Sequence, residues 1–214
     1  MSLEPSHGIQ KQTAFIVDDD PSVCEALCDL IESAGLTTRH YSSAELFLDA
    51  WTPDMAGCLV LDVRLPVMSG MELQGHLAEA GLPIPIIIMT AHGDIPMVRK
   101  AMKAGAVEFL TKPFQDEELL QAIEQAFARD RADRIAKSVE DSILSRLGTL
   151  SPRERQVMEL VTTGMTNKEI ADALGIKIVT VKLYRGQVME KMHAHSLADL
   201  VKMSEKIKMP SGSQ

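Results

Sequence analysis

In the first half of the chain, apolar runs end in polar side chains that together could handle a phosphoryl group. Ala14 to Val17 runs into Asp18, Asp19 and Asp20, Cys58 to Leu61 into Asp62, Ile86 to Met89 into Thr90, and Val107 to Leu110 is followed by Lys112 and Pro113. Clustered carboxylates repel one another unless something neutralises them, and hard oxygen ligands with room for water suit Mg²⁺. With that cation in place, one carboxylate can attack phosphorus while metal and lysine take up the charge on the phosphoryl oxygens. Asp62 is the best candidate for the nucleophile, because Asp19, Thr90 and Lys112 occupy matching strand ends. Asp20 precedes Pro21 and reads instead as a helix cap.

Such a convergence needs elements that deliver every strand end to the same edge. The runs Ala14 to Val17, Thr37 to Tyr41, Cys58 to Leu61, Ile86 to Met89 and Val107 to Leu110 read as short strands separated by helical patterns. The first helix has Asp20 as cap, Pro21 in its first turn, apolar Val23, Leu27, Leu30 and Ile31 on one face, and Gly35 as stop. Ser42 with Glu45 and Ser69 with Glu72 read as capping boxes opening the next two helices, and Asp94 to Gly105 brackets a fourth. The fold class expected is α/β, a five-stranded doubly wound parallel sheet with ligands at the carboxyl ends of its strands.

From Asp116 a helical pattern runs to about Leu147, with Leu119, Leu120, Ile123, Phe127, Ile135, Val139 and Ile143 roughly on one stripe. Its charged stretch, Arg129 to Lys137, reads as a solvated helix face, with a dimer-contacting linker as the alternative. After Gly148 everything is helical. Ser151-Pro152-Arg153-Glu154 and Thr166-Asn167-Lys168-Glu169 are capping boxes, and Ala173-Leu174-Gly175-Ile176 is the turn of a helix-turn-helix. The next helix runs from Ile178 to Met192 and Ser196 caps a last one, before a frayed end at Pro210 to Gln214. The domains expected are therefore 1–128, a helical linker 129–147, and an all-α domain 148–214.

Charge is divided in the same way. The 214 residues carry a net charge of −8, but residues 1–128 hold 7 Lys/Arg against 19 Asp/Glu while residues 151–214 hold 10 against 7. An acidic front joined to a mildly basic rear puts cation chemistry in one and nucleic acid at the other. With 45% hydrophobic and 24% charged residues the composition is globular. No run approaches the roughly 20 apolar residues of a membrane span, and Met1 to Gln12 lacks a secretory signal's apolar stretch, so a cytoplasmic protein with no membrane partner is expected. Cys24, Cys28 and Cys58 form no C-x-x-C pair and read as core thiols.

In the rear domain, the second helix of the pair is the one that enters a major groove. Val181, Val188 and Met192 fall on its core face, leaving Lys182, Leu183, Arg185 and Gly186 outward. Lys182, Arg185 and Lys191 can neutralise phosphates, and Lys182 could instead read guanine. His193 and His195 have no third ligand nearby and read as surface residues.

The front residues resemble the receiver domain of two-component response regulators over about residues 12–126. The resemblance rests on the acidic group after the first strand, on Asp62-Val63-Arg64-Leu65-Pro66 with Met68-Ser69-Gly70, on Thr90-Ala91-His92-Gly93 and on Lys112-Pro113-Phe114. It implies a flavodoxin-like fold in which Asp62 accepts phosphate from a sensor histidine kinase. It also implies that Asp19 and the Arg64 carbonyl bind Mg²⁺ with Asp62, that Asp18 acts mainly through water, and that Thr90 and Lys112 hold the phosphoryl oxygens. Phe109 takes the switch aromatic position, with an ordinary core phenylalanine as the equal alternative.

Residues from about Leu150 to Met203 are similar to the LuxR-type helix-turn-helix, through Leu150-Ser151-Pro152-Arg153-Glu154-Arg155, Asn167-Lys168-Glu169-Ile170-Ala171, Leu174-Gly175-Ile176 and Thr180-Val181-Lys182. Receiver plus this tail resembles the FixJ/NarL group, and Val188-Met189-Glu190-Lys191-Met192 with Ser196-Leu197 favours the FixJ branch. Lys177 stands where a capping serine is common and Tyr184 where histidine is common, which predicts a recognition helix frayed at its start. DNA contacts are expected from Lys168, Thr180, Lys182, Leu183, Tyr184, Arg185 and Lys191. The resemblance implies a non-enzymatic transcription regulator that forms a homodimer when phosphorylated, binds promoter DNA and meets RNA polymerase. Two other readings are a DNA-binding regulator whose front domain only dimerises, and an aspartyl-phosphate hydrolase. The hydrolase needs an Asp two residues after the nucleophile, where Arg64 stands.

Overall fold

In the computed structural model, which describes residues 11–208, the front half forms β1 (Thr13–Val17), β2 (Thr37–Tyr41), β3 (Gly57–Asp62), β4 (Ile86–Thr90) and β5 (Glu108–Thr111). No strand limit departs by more than one residue from the sequence-based expectation. All neighbours pair in parallel, in the order β2-β1-β3-β4-β5, so each connection must cross over through a helix. These crossovers are α1 (Pro21–Ser33), α2 (Ala44–Ala50), α3 (Gly70–Glu79) and α4 (Ile95–Lys103), and α5 (Asp116–Gly148) follows the last strand. The order reverses between β1 and β3, which opens a crevice at their carboxyl ends.

The period of two along a strand creates two cores. Ala14, Ile16, Cys58 and Val60 face Leu27, Ile31, Leu119 and Ile123, so α1 and α5 cover one side of the sheet. Phe15, Val17, Leu59 and Leu61 face Phe47, Leu73, Leu77 and Ala101, so α2, α3 and α4 cover the other. Strands buried on both faces read as unbroken apolar runs, as β3 and β4 do. Burying a Leu or Ile contributes about 1.5–3 kcal/mol, so Ile16 and Leu61 help fix the strand ends that carry Asp18 and Asp62. Cys24 and Cys58 lie in the first core and Cys28 packs partly against it, none of them in a disulfide. Burial, reinforced by Asp18, pushes the Cys24 thiol up to about 11, as expected of an inert core cysteine.

Capping fixes the helix starts. Asp20 accepts from the Ser22 amide, Asp94 from the Met97 amide, and Ser69 with Glu72 closes a reciprocal box. The expected cap Ser42 is corrected by one residue: Ser43 caps α2, accepting from the Leu46 amide at 3.3 Å. Glu45 then stands at the second helical position, where it does not complete a capping box.

Helix α5 runs unbroken for 33 residues. Asp130 within it is buried, and its carboxylate accepts from the Gly57 amide and from Gln12 Nε2, both at 3.0 Å. Beyond it Ile135 and Val139 are exposed, so the expected apolar stripe is interrupted there, and its last member, Ile143, is buried in the core of the second unit. The compact units are Met1–Asp133 and Arg134–Gln214.

The second unit contains α6 (Pro152–Thr162), α7 (Asn167–Leu174), α8 (Ile178–Lys191) and α9 (Leu197–Lys208). Both expected capping boxes are present. Gly175 ends α7 at φ 64° and ψ 35°, a left-handed conformation that glycine adopts without a Cβ penalty. Val157, Val161, Ile170, Val181, Val188 and Met192 belong to this unit's own core. No side chain caps α8, yet its first turn is closed, because the Thr180 amide donates to the Lys177 carbonyl at 2.9 Å; the frayed start expected here is not observed. The end expected to fray, Pro210 to Gln214, and most of the leader at residues 1–12 lie outside the described residues. Among the described residues no helix is long and apolar enough to cross a membrane.

Candidate functional site

β1 and β3 stay in register as far as Val17 and Leu61, so Asp18 and Asp62 emerge side by side at the sheet edge. Thr90 pairs with Thr111 on β5, and the Lys112 amide donates to the Thr90 carbonyl at 2.7 Å, which anchors the lysine one residue beyond the strand. From there Lys112 Nζ donates to Asp18 Oδ2 at 2.7 Å and to Asp62 Oδ1 at 2.8 Å. The other carboxylate oxygens are engaged as well: Asp18 Oδ1 accepts from the Asp20 amide at 3.0 Å and Asp62 Oδ2 from the Arg64 amide at 2.5 Å. Both carboxylates are buried, and buried charges persist only when paired and hydrogen-bonded in this way. Burial by itself would lower the Lys112 pKa, but the bonds to Asp18 and Asp62 outweigh it and hold the ammonium above its ordinary range.

Thr90 is buried, and its hydroxyl lies 3.3 Å from both the amide and the carbonyl of His92. Phe109 is half-buried with its ring against Gly93, next to the Thr90 methyl group. Val67, in the loop after Asp62, is 97% exposed and has φ 67°, which a β-branched residue adopts only under strain.

Asp18, Asp62, Thr90 and Lys112 thus share one edge, while Asp19 faces solvent. Among the described residues no three His, Cys, Asp or Glu side chains are gathered closely enough to hold a metal ion, and Lys112 Nζ bonds both Asp18 and Asp62. The donor chemistry nevertheless fits a hard divalent cation: Asp18 and Asp62 share the single ammonium of Lys112, which leaves one negative charge uncompensated, and Asp19 next to them adds a second carboxylate charge with no ammonium bonded to it.

In the second unit the structure divides the expected DNA-contacting residues. Lys168, Lys182 and Leu183 are exposed and Thr180 is half-buried. Tyr184 packs against the core. Arg185, expected to point outward, is half-buried and donates to Asn167 Oδ1 at 2.6 Å, tying α8 to α7. Lys191 donates to the buried Glu154 at 2.7 Å, joining the end of α8 to the capping box of α6. That bond, followed by the Ser151 amide, holds the Glu154 carboxyl below the usual carboxylate range. His193 and His195 are exposed, as expected. Sequence reasoning missed the Asn167–Arg185 and Glu154–Lys191 links, which join residues 18 and 37 positions apart and leave no local signal.

Residues 14–124 match the response regulator receiver domain family, and residues 148–204 match the bacterial regulatory proteins of the luxR family. The chain belongs to the response regulators. It is 51% identical over 195 residues to nodulation protein W of Bradyrhizobium diazoefficiens, covering 91% of this chain and 86% of that protein. It is 45% identical over 193 residues to the transcriptional regulatory protein FixJ of Rhizobium meliloti, covering 90% and 94%. Among solved structures, response regulator StyR is similar at 48% identity with a TM-score of 0.82, covering 92% of this chain and 99% of that one. This response regulator combines a receiver domain with a LuxR-type DNA-binding domain, and its relatives are transcriptional regulators.

Proposed function

We propose that Asp62 accepts a phosphoryl group from a sensor histidine kinase, and that phosphorylation promotes a homodimer that binds promoter DNA. The observation that carries this reading is the single ammonium of Lys112 bonded to both Asp18 and Asp62 at the carboxyl edge of the sheet. An Asp62 oxygen attacks phosphorus, the bond from phosphorus to the kinase's imidazole nitrogen breaks, and the electron pair leaves with that nitrogen. Lys112 and the Thr90 hydroxyl, on neighbouring strand ends, then donate to the phosphoryl oxygens. Asp19, Asp62 and the Arg64 carbonyl would hold Mg²⁺, with Asp18 acting through water, and the cation would supply the remaining charge neutralisation.

The rear domain reads DNA through α8. The exposure of Lys168, Lys182 and Leu183 supports contacts there, with Thr180 at the start of the helix. Tyr184, Arg185 and Lys191 are engaged within the domain and serve mainly to hold the helix in place. On this reading residues 1–128 receive the phosphoryl group, 129–147 link, and 148–214 bind DNA in the cytoplasm, where RNA polymerase is met. The buried Asp130 favours extending the first part to about residue 133.

Incubation with acetyl phosphate and Mg²⁺, followed by sedimentation and footprinting on genomic DNA, tests the proposal. Wild type is expected to gain one acid-stable, base-labile phosphate, to dimerise and to protect discrete sites. Labelling of Asp62→Asn at the wild-type rate would overturn the assignment. A phosphorylated protein that neither dimerised nor changed its footprint would overturn the coupling.

A further inference from the structure

We infer that Val179 and Leu183 read thymine methyl groups in the major groove. The inference rests on the reading of α8 as the recognition helix and names what that helix recognises.

The inner side of α8 is occupied. Val181, Val188 and Met192 lie in the core, Tyr184 packs against it, and Arg185 is bonded to Asn167. On the opposite side, Val179, Leu183, Gly186 and Glu190 follow one another at helical spacings of four, three and four, and all are exposed. Val179 is 68% exposed and Leu183 59%. A Cβ built on Gly186 meets nothing within 4 Å, so this outer face is open at Gly186 as well.

One exposed aliphatic residue on a surface carries no message. Two at adjacent turns, on the outer face of the second helix of a helix-turn-helix, do. Charge identifies the end that meets DNA: Lys168, Lys177 and Lys182 are exposed around the start of α8, whereas Glu190 lies on the outer face near its other end and would repel phosphates.

At the base edges, the C5 methyl of thymine is the apolar feature of the major groove, and the other groups there are donors and acceptors. Aliphatic side chains pressed against those groups would strip their water and return no hydrogen bond. Against thymine methyls they bury carbon on carbon. Residues four apart are about 6 Å apart along a helix axis, and successive bases of one strand are about 3.4 Å apart. The two side chains therefore fit methyl groups roughly two base steps apart, with Lys182 beside them free for a guanine or a phosphate.

The test uses the full-length protein and a fluorescein-labelled duplex from its footprinted genomic site, compared by anisotropy with a twin in which deoxyuridine replaces the thymines of one half-site. Each methyl lost at a contacted position is expected to weaken binding about fourfold, the equivalent of ~0.8 kcal/mol for a buried methyl-sized group. Val179→Ala and Leu183→Ala should weaken binding to the thymine duplex and lose most of the discrimination between the two duplexes. Both side chains are exposed, so circular dichroism should show unchanged folding. Equal affinity of wild type for the two duplexes would overturn the inference and leave DNA binding intact. Unchanged affinity of Val179→Ala, Leu183→Ala and Lys182→Ala for the thymine duplex would overturn the recognition-helix reading and this inference with it.

Discussion

A methyl group on Gly93 would stand 2.7 Å from Cε1 of Phe109 and 3.4 Å from the Thr90 methyl carbon. The backbone of Gly93 is not in the left-handed region, so an alanine there meets no conformational strain and its whole cost is the collision with the ring. Gly93→Ala is expected to destabilise the receiver by about 1–3 kcal/mol, the usual range for overpacking. In a Phe109→Leu background that cost should largely disappear, giving a coupling measurable by urea unfolding of the four proteins in a double-mutant cycle. Additive losses would mean that the ring is not what holds this loop. A full coupling would show that the Thr90 loop and Phe109 compete for one space, as a switch pair requires.

Lys112 is the counter-charge for two buried carboxylates, and its removal leaves both uncompensated. Lys112→Ala should therefore cost about 3–5 kcal/mol of receiver stability, the range for breaking a buried ion pair. Because the remaining site is more negative, millimolar Mg²⁺ should raise the melting temperature of Lys112→Ala more than that of wild type, as linkage requires for a ligand that binds the folded state more tightly. Calorimetry with Mg²⁺ and with EDTA checks both statements. A variant indifferent to Mg²⁺ would remove the cation from this edge.

Much of this edge was legible in the sequence, for a local reason. A parallel sheet sends every strand's carboxyl end to one side, so Asp18, Asp62, Thr90 and Lys112 announce their proximity by following apolar runs. Helix starts were legible wherever a cap and its third-position partner share one short motif, as Ser69 with Glu72 and Ser151 with Glu154 do. Ser42 misled because Ser43 beside it is an equally good cap, and composition does not choose between two adjacent serines. The partners of Arg185 and Lys191 were not legible for a different reason: a cation on a recognition helix suggests phosphate, and only three-dimensional packing brings Asn167 and Glu154 to meet them.

Val67 holds φ 67° while almost fully exposed, so no packing compensates for its strain. Unfavourable backbone regions of this kind cost about 1–3 kcal/mol each, and glycine enters them freely at an entropic cost of about 0.5–1 kcal/mol. Val67→Gly is expected to stabilise the receiver by roughly 0.5–2 kcal/mol in urea unfolding. A loss of stability would mean that the loop derives its rigidity from the valine.

Glu154 gives the rear domain an acid-sensitive clamp. Its carboxyl pKa is depressed by the Lys191 ammonium and then by the Ser151 amide, so it contributes stability that is present above the unfolded carboxylate value of about 4.3 and is lost as pH falls through the lower folded value. Glu154→Gln should therefore be less stable than wild type at pH 7, and the two melting curves should converge on acidification below about pH 4. The fragment 134–214, which contains its own core, is suited to the measurement. A gap that persisted unchanged at pH 2.5 would assign the difference to packing and not to charge.

The two lysines of α8 that resemble each other in sequence should separate in salt. Lys182 is exposed and bonds no partner among the described residues, whereas Lys191 donates to Glu154 and to the Thr149 carbonyl, at 2.7 and 3.4 Å. A lysine that neutralises one phosphate contributes about one unit to the slope of log affinity against log salt. Lys182→Ala is expected to lower that slope by about one, or to relax preference at a single guanine if the ammonium reads a base. Lys191→Ala should leave the slope unchanged and instead lower the melting temperature of the rear domain, because it leaves the buried Glu154 without its ammonium. Anisotropy titrations between 50 and 200 mM salt, run beside thermal melts of the same proteins, read both quantities. Equal slope changes for the two variants would place Lys191 on the phosphates and require the Glu154 bond to open when DNA binds.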